Sequence, residues 1–189
     1  YYAAGDTVAS IDSLPQTELL KERGMEILYC TDRADEFLAD SLRTYDGKEF
    51  RSAVDGDLGL EDEPKTQESE SDKECLAFIK ETLGDRVDEV KASQKLKSHP
   101  VCMTSGEGLT FEMEKYFQAV QPELSMKAKR ILEVNVAHPA FLKLESVRAT
   151  DPELAKKYAE VLYNQALLIA GLPLADPSGY TDLVCSLWS

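Results

Sequence analysis

The sequence predicts an α+β fold: a partial α/β segment, then a mixed α/β domain with a small sheet and a helical end. Three observations predict it. Over Tyr1–Val54, short apolar runs alternate with stretches of helical spacing. The next stretch, Asp55–Glu74, carries almost nothing apolar after Leu60. Beyond it, sheet-like segments give way to two amphipathic helices, each opened by an Asp-Pro pair.

Tyr1–Ala4 is short, aromatic and small, fit for a strand. From Asp6 to Arg23 the apolar positions Val8, Ile11, Leu14, Leu19 and Leu20 point to helix. Pro15 interrupts it, because a helix interior cannot lose an N–H without a break, so two helical pieces or a turn near Leu14 are expected. Gly24 suits the C-cap. Met25–Cys30 reads as a buried strand. Thr31 or Asp32 can cap the next helix, with Asp35 and Glu36 favourable in its first turn and Phe37, Leu38, Leu42 and Tyr45 at helical spacing. Asp46-Gly47 makes a turn before a strand at Lys48–Val54. Such a run is the tail of an α/β domain rather than a whole one.

Residues 55–74 hold nine acidic side chains against Lys65 and Lys73, with Gly56, Gly59 and Pro64. So little apolar surface cannot offset the entropy of ordering, and a linker is expected. The organisation is therefore 1–54 as one domain's end, 55–74 as linker and 75–189 as a second domain. In that domain Cys75–Leu83 is helical. Val87–Leu96 and Val101–Thr104 read as two antiparallel strands broken at Pro100. Leu109–Val120 is a helix, Lys129–Val136 a strand, and His138-Pro139 starts a further helix. Asp151-Pro152 and Asp176-Pro177 each join a capping carboxylate to a proline at the first turn.

The net charge of −14 and pI near 4.6 disfavour nucleic acid and anionic membranes, which select clustered Lys and Arg. The longest apolar run, near Ala166–Ala170, is far short of the roughly 20 residues of a membrane span. Tyr1–Ser10 has no leader-like character, and the missing initiator Met suggests a piece of a longer chain. Cys30, Cys75, Cys102 and Cys185 are scattered without a C-x-x-C pair, which points to free thiols in a reducing cytoplasm and no metal site. There is no phosphate-cradling glycine motif, and His99 and His138 each precede Pro with no nucleophile paired to either. Catalytic, cofactor-binding and metal-binding residues are expected to be absent.

Two constellations remain. The penultimate helix carries Leu154, Tyr158, Val161, Leu162, Gln165, Leu168 and Ile169 on one broad face. The last carries Tyr180, Leu183, Val184, Leu187 and Trp188. Exposed apolar area of that size marks an interface, and two such helices from each of two copies make an intermolecular four-helix bundle. An intramolecular bundle with the Cys75–Leu83 helix fits the same pattern. The second constellation, Leu109, Met113, Tyr116 and Phe117, lies along one side of a short helix. Such a stripe is ordinary core, or an adaptable surface on which Met accepts varied partners.

Several segments resemble the heat-shock protein 90 family in its bacterial, HtpG-type form. GMEILYCTDRADEFLADSLRTYDGKEFRSAV (Gly24–Val54) resembles the end of that family's middle domain. RILEVNVAHP (Arg130–Pro139) resembles its L-E-I-N-P-x-H segment, with Val136 in place of Pro. YAEVLYNQALLIAGLPLADPSGY (Tyr158–Tyr180) resembles its dimerisation helices. The resemblance implies the end of a middle domain plus a C-terminal dimerisation domain of an ATP-dependent chaperone. ATP and Mg would bind in an N-terminal domain outside these residues. It further implies a homodimer through the last two helices, and contact of unfolded clients by Leu109, Met113, Tyr116 and Phe117. Phe37 holds the place of a cleft-facing aromatic. A dimerisation scaffold without client contact is the alternative. The chain ends without an M-E-E-V-D tail, which fits the bacterial form.

Overall fold

The pairs His138-Pro139, Asp151-Pro152 and Asp176-Pro177 each open a helix in the computed structural model, which describes residues 1–32, 34–54, 58–60, 68–106 and 108–188. In chain order these form β1 (Tyr2–Ala4), α1 (Val8–Asp12), α2 (Glu18–Glu22), β2 (Leu28–Cys30), α3 (Asp35–Leu42), β3 (Thr44–Tyr45) and β4 (Lys48–Glu49). Then come α4 (Glu70–Leu83), β5 (Glu89–Ala92), β6 (Val101–Thr104), α5 (Phe111–Val120) and β7 (Ile131–Val134). The chain closes with α6 (Pro139–Arg148), α7 (Pro152–Ile169) and α8 (Pro177–Cys185). The fold is α+β, as the periodicities predict. Contacts divide it into two units, Tyr1–Glu63 with Thr104–Lys129, and Pro64–Met103 with Arg130–Ser189. The segment bearing α5 thus clusters with the start of the chain, whereas the boundary read at Cys75 groups it with the end.

In the first unit, β1 pairs in parallel with β2, and on its other side Tyr2 bridges Ser52, with Ala53 N–H donating to Tyr2 O at 2.7 Å. Ala3, Ile11, Leu19, Leu20, Ala53 and Leu58 form the core beneath. Pro15 splits the first helical stretch as expected, leaving a 3-10 turn at Pro15–Thr17 between α1 and α2. Two strand readings need correction. Met25–Cys30 yields only Leu28–Cys30, and Leu28 stands exposed because this strand has a neighbour on one side and little cover. Lys48–Val54 yields only Lys48–Glu49, paired antiparallel with Thr44–Tyr45. Asp46 and Gly47, both at positive φ, close that hairpin, the arrangement that follows the natural twist of the paired strands.

In the second unit the sheet order is β5-β7-β6, with β5 and β7 parallel. The two segments read as an antiparallel pair are therefore not neighbours. Alternation marks a strand but not its partner, and the wholly buried β7 takes the centre. Helices α4, α6 and α7 pack together, burying Ile79, Leu83, Phe141, Leu144, Ala155, Ala159 and Leu162. Helix α4 begins at Glu70, inside the stretch read as linker. Ser69 caps it in a reciprocal box with Asp72, which outweighs the local acidity. Of the expected linker, residues 55–57 and 61–67 lie outside the described residues.

Candidate functional site

The stripe on α5 is not a bare surface. Thr110 caps the helix by accepting from Met113 N–H at 3.2 Å, so Leu109 lies just before the helix proper. Met113 is buried at 9% exposure, while Leu109, Tyr116 and Phe117 are half-buried. Tyr116 and Phe117 meet Phe37 of α3 edge to face, with centroids 5.2 and 6.0 Å apart, and each other at 5.7 Å. Positive ring edges against negative faces add roughly 0.5–1.5 kcal/mol per pair to area burial. Four of the five residues read as client-facing, Phe37, Met113, Tyr116 and Phe117, are thus packed within one unit.

Two buried carboxylates organise this packing, and the hydrophobic pattern gave no sign of either. Glu36, 3% exposed, accepts from the Thr110 hydroxyl at 2.8 Å. Glu114, 4% exposed, accepts from Ala128 N–H at 2.7 Å and from Gln118 Nε2 at 3.0 Å. A buried carboxylate is costly unless hydrogen-bonded, so these bonds fix geometry. Val120, Leu124 and Met126 are exposed; Val120 continues the spacing of the stripe to the last residue of α5, and Leu124 and Met126 lie beyond the helix end.

Beside the stripe lies a cavity of about 160 Å³ lined by Asp6, Cys30, Asp32, Glu36, Glu112, Lys115 and Tyr116 among others. That is below the roughly 300–1,000 Å³ of usual small-molecule sites. Burial pushes the Cys30 thiol pKa up, with Asp35 and Glu36 adding to it, so the thiol is not an activated nucleophile. Among the described residues no group of three or more His, Cys, Asp or Glu side chains could hold a metal ion, and no helix is long and apolar enough to cross a membrane.

The terminal helices present the other candidate surface. Helix α7 turns Ala155, Ala159, Leu162, Ala166 and Leu167 inward. Leu154, Tyr158, Val161, Gln165 and Ile169 are half-buried, and Leu168 is 51% exposed. Leu162 departs from its expected place: it is covered within a single chain. Helix α8 buries none of its residues. Tyr180, Leu183, Val184 and Leu187 are half-buried and Trp188 is 83% exposed.

The profile of the family described as Hsp90 protein matches residues 1–189. The chain belongs to the Hsp90 family. It is 45% identical to the chaperone protein HtpG of Oceanobacillus iheyensis over 99% of this chain and 30% of that one. It is 46% identical to HtpG of Alkaliphilus metalliredigens, over 100% of this chain and 31% of that one. With HtpG of Bacillus subtilis the identity is 42%, over 99% of this chain and 30% of the relative. The chain spans about 30% of the length of the relatives it matches.

The segments that carried the Hsp90 resemblance have local structural work. In TDRADE, Asp32 Oδ1 accepts from Ala34 N–H at 2.9 Å while Asp35 Oδ2 accepts from Asp32 N–H at 3.2 Å, a reciprocal start for α3. In LEVNVAH, Glu133 is 1% exposed; it accepts from the Ser93 hydroxyl at 2.9 Å and lies 3.6 Å from both Lys91 and Lys95. Asn135 Nδ2 donates to Lys97 O and His99 O at 3.1 and 3.3 Å, pinning the connection that leads into β6. His138 Nδ1 accepts from Ala140 N–H at 3.1 Å as the cap of α6, the helix-starting role read for it.

Proposed function

We propose that this chain is the end of the middle domain and the C-terminal dimerisation and client-contact part of a cytoplasmic, ATP-dependent chaperone that assists protein folding. ATP and Mg belong to another part of the protein, and this part carries no catalysis of its own. The observation that carries the reading is the terminal apolar surface. No residue of helix α8 is fully buried, and Trp188 and Leu168 are exposed. A second copy laid across α7 and α8 in a two-fold contact covers that surface at both ends at once. The relatives named chaperone protein HtpG support the chaperone reading. Client contact is assigned to Phe37, Leu109, Met113, Tyr116 and Phe117, with the bare Val120, Leu124 and Met126 alongside.

Sedimentation equilibrium tests the carrying observation. A dimer at micromolar concentration that becomes monomer on Leu168→Asp with Leu187→Asp supports it. A well-folded monomer of the unaltered chain overturns it.

A second reading, a dimerisation scaffold without client contact, is favoured by one observation: Met113 is buried and the three rings satisfy one another. Binding of an unfolded polypeptide by the chain separates the two.

A further inference from the structure

On the client-contact reading of Phe37, Tyr116 and Phe117, we infer that α5 is its own latch. It lies closed over Phe37, an unfolded segment binds by displacing it, and the Glu36–Thr110 hydrogen bond is the catch. The three rings pack edge to face and are half-buried by one another, so an apolar client side chain gains the covered part of their surface where α5 gives it up. Met113, the most adaptable side chain of the stripe, is covered in this arrangement.

The catch is placed where it can open without melting the helix. Thr110 Oγ accepts from Met113 N–H while its O–H donates to Glu36. When the hydroxyl leaves the carboxylate, the cap on α5 stays made. The second buried carboxylate, Glu114, accepts from Gln118 on α5 itself and from Ala128 N–H beyond it, so these two bonds join α5 to the segment that follows it. The segment is also jointed at its start, where Gly106 and Gly108 have φ of 69° and 102°. Glycine crosses between backbone regions at little cost, which is what a hinge requires.

The test uses the full 189-residue chain, hydrogen exchange over Phe111–Val120, and fluorescence anisotropy with reduced, carboxymethylated α-lactalbumin as the unfolded probe. Glu36→Leu removes the acceptor and leaves the Thr110 cap. A hydrogen bond to a charged group is worth on the order of a tenfold change or more in an equilibrium. Exchange over α5 should therefore quicken by about tenfold. Probe affinity should rise by a similar factor as the open fraction grows. Thr110→Ser, which keeps the hydroxyl, should behave as wild type. Glu36→Gln keeps the shape and should shift both readouts the same way by less, and it decides the matter if Glu36→Leu does not fold. Unchanged exchange, or faster exchange with unchanged or weaker affinity, overturns the latch. Wild-type affinity in Phe37→Ser with Phe117→Ser overturns the client-contact reading itself.

Discussion

Leu162 and Leu168 sit six residues apart on α7 and face different surroundings, Leu162 5% exposed and Leu168 51% exposed. At 3.6 residues per turn that spacing carries them to different sides of the helix. One belongs to the core with Ala155 and Ala159, the other to the open face. The two leucines therefore separate folding from association. Leu162→Asp buries an unpaired charge and is expected to unfold the second unit, read as loss of its cooperative thermal transition. Leu168→Asp with Leu187→Asp is expected to leave the circular dichroism unchanged while converting dimer to monomer by sedimentation equilibrium. A folded monomer from Leu162→Asp alone would mean that the inward face is assigned wrongly.

The same division applies to the stripe on α5. Met113→Ala removes a buried side chain and is expected to cost about 2–5 kcal/mol of stability in urea unfolding, the usual range for such truncations. Tyr116→Ser and Phe117→Ser act on half-buried rings. They should cost less stability and, on the client-contact reading, weaken binding of an unfolded polypeptide. If Met113→Ala is neutral in urea, the stripe is surface and not core.

How far the sequence could be read depended on the range of the forces involved. Helix starts are local, and the Asp151-Pro152, Asp176-Pro177 and His138-Pro139 signals each lie where a helix begins. The break at Pro15 is local too. Sheet order is not. Nothing within Val87–Leu96 or Val101–Thr104 says that Ile131–Val134 lies between them, because pairing is decided by chain segments far away. The stripe on α5 was legible as apolar spacing. Its partner, Phe37, came only through family resemblance, since 79 residues separate it from Tyr116 and 80 from Phe117. The burial of Glu36, Glu114 and Glu133 is not legible in the sequence, because acidic residues are abundant here and periodicity cannot tell a buried carboxylate from a solvated one.

Asp176 couples local order to the proposed interface. Its carboxylate accepts from Gly179 N–H at 2.9 Å, capping a helix of nine residues that has no buried side chain to hold it. Asp176→Ala should cost about 0.5–2 kcal/mol of helix stability. On the dimer reading that loss passes into association. Dimer dissociation by sedimentation should then shift to higher concentration, with thermal unfolding of α4, α6 and α7 little changed. Asp176→Asn, which keeps an accepting oxygen, should restore most of the effect. An unchanged dissociation constant in Asp176→Ala would place α8 outside the interface.

Cys75 makes the alkaline limb of stability informative. It is fully buried in α4, and desolvation pushes its thiol up to about 11, with Arg148 opposing and Glu145 and Asp72 adding to the shift. In the unfolded chain the thiol titrates near its ordinary value of 9.0. Below that value both states hold the proton and the contribution is fully present. As pH rises from 9 towards about 11 the unfolded state sheds its proton first, and stability falls. Urea midpoints measured across that window should decline for the unaltered chain, and Cys75→Ala should flatten part of the decline. The same burial should leave Cys75 unreactive to iodoacetamide under native conditions while the exposed Cys185 is alkylated. Alkylation of Cys75 at the rate of Cys185 in folded protein would show that α4 opens far more readily than its packing against α6 and α7 allows.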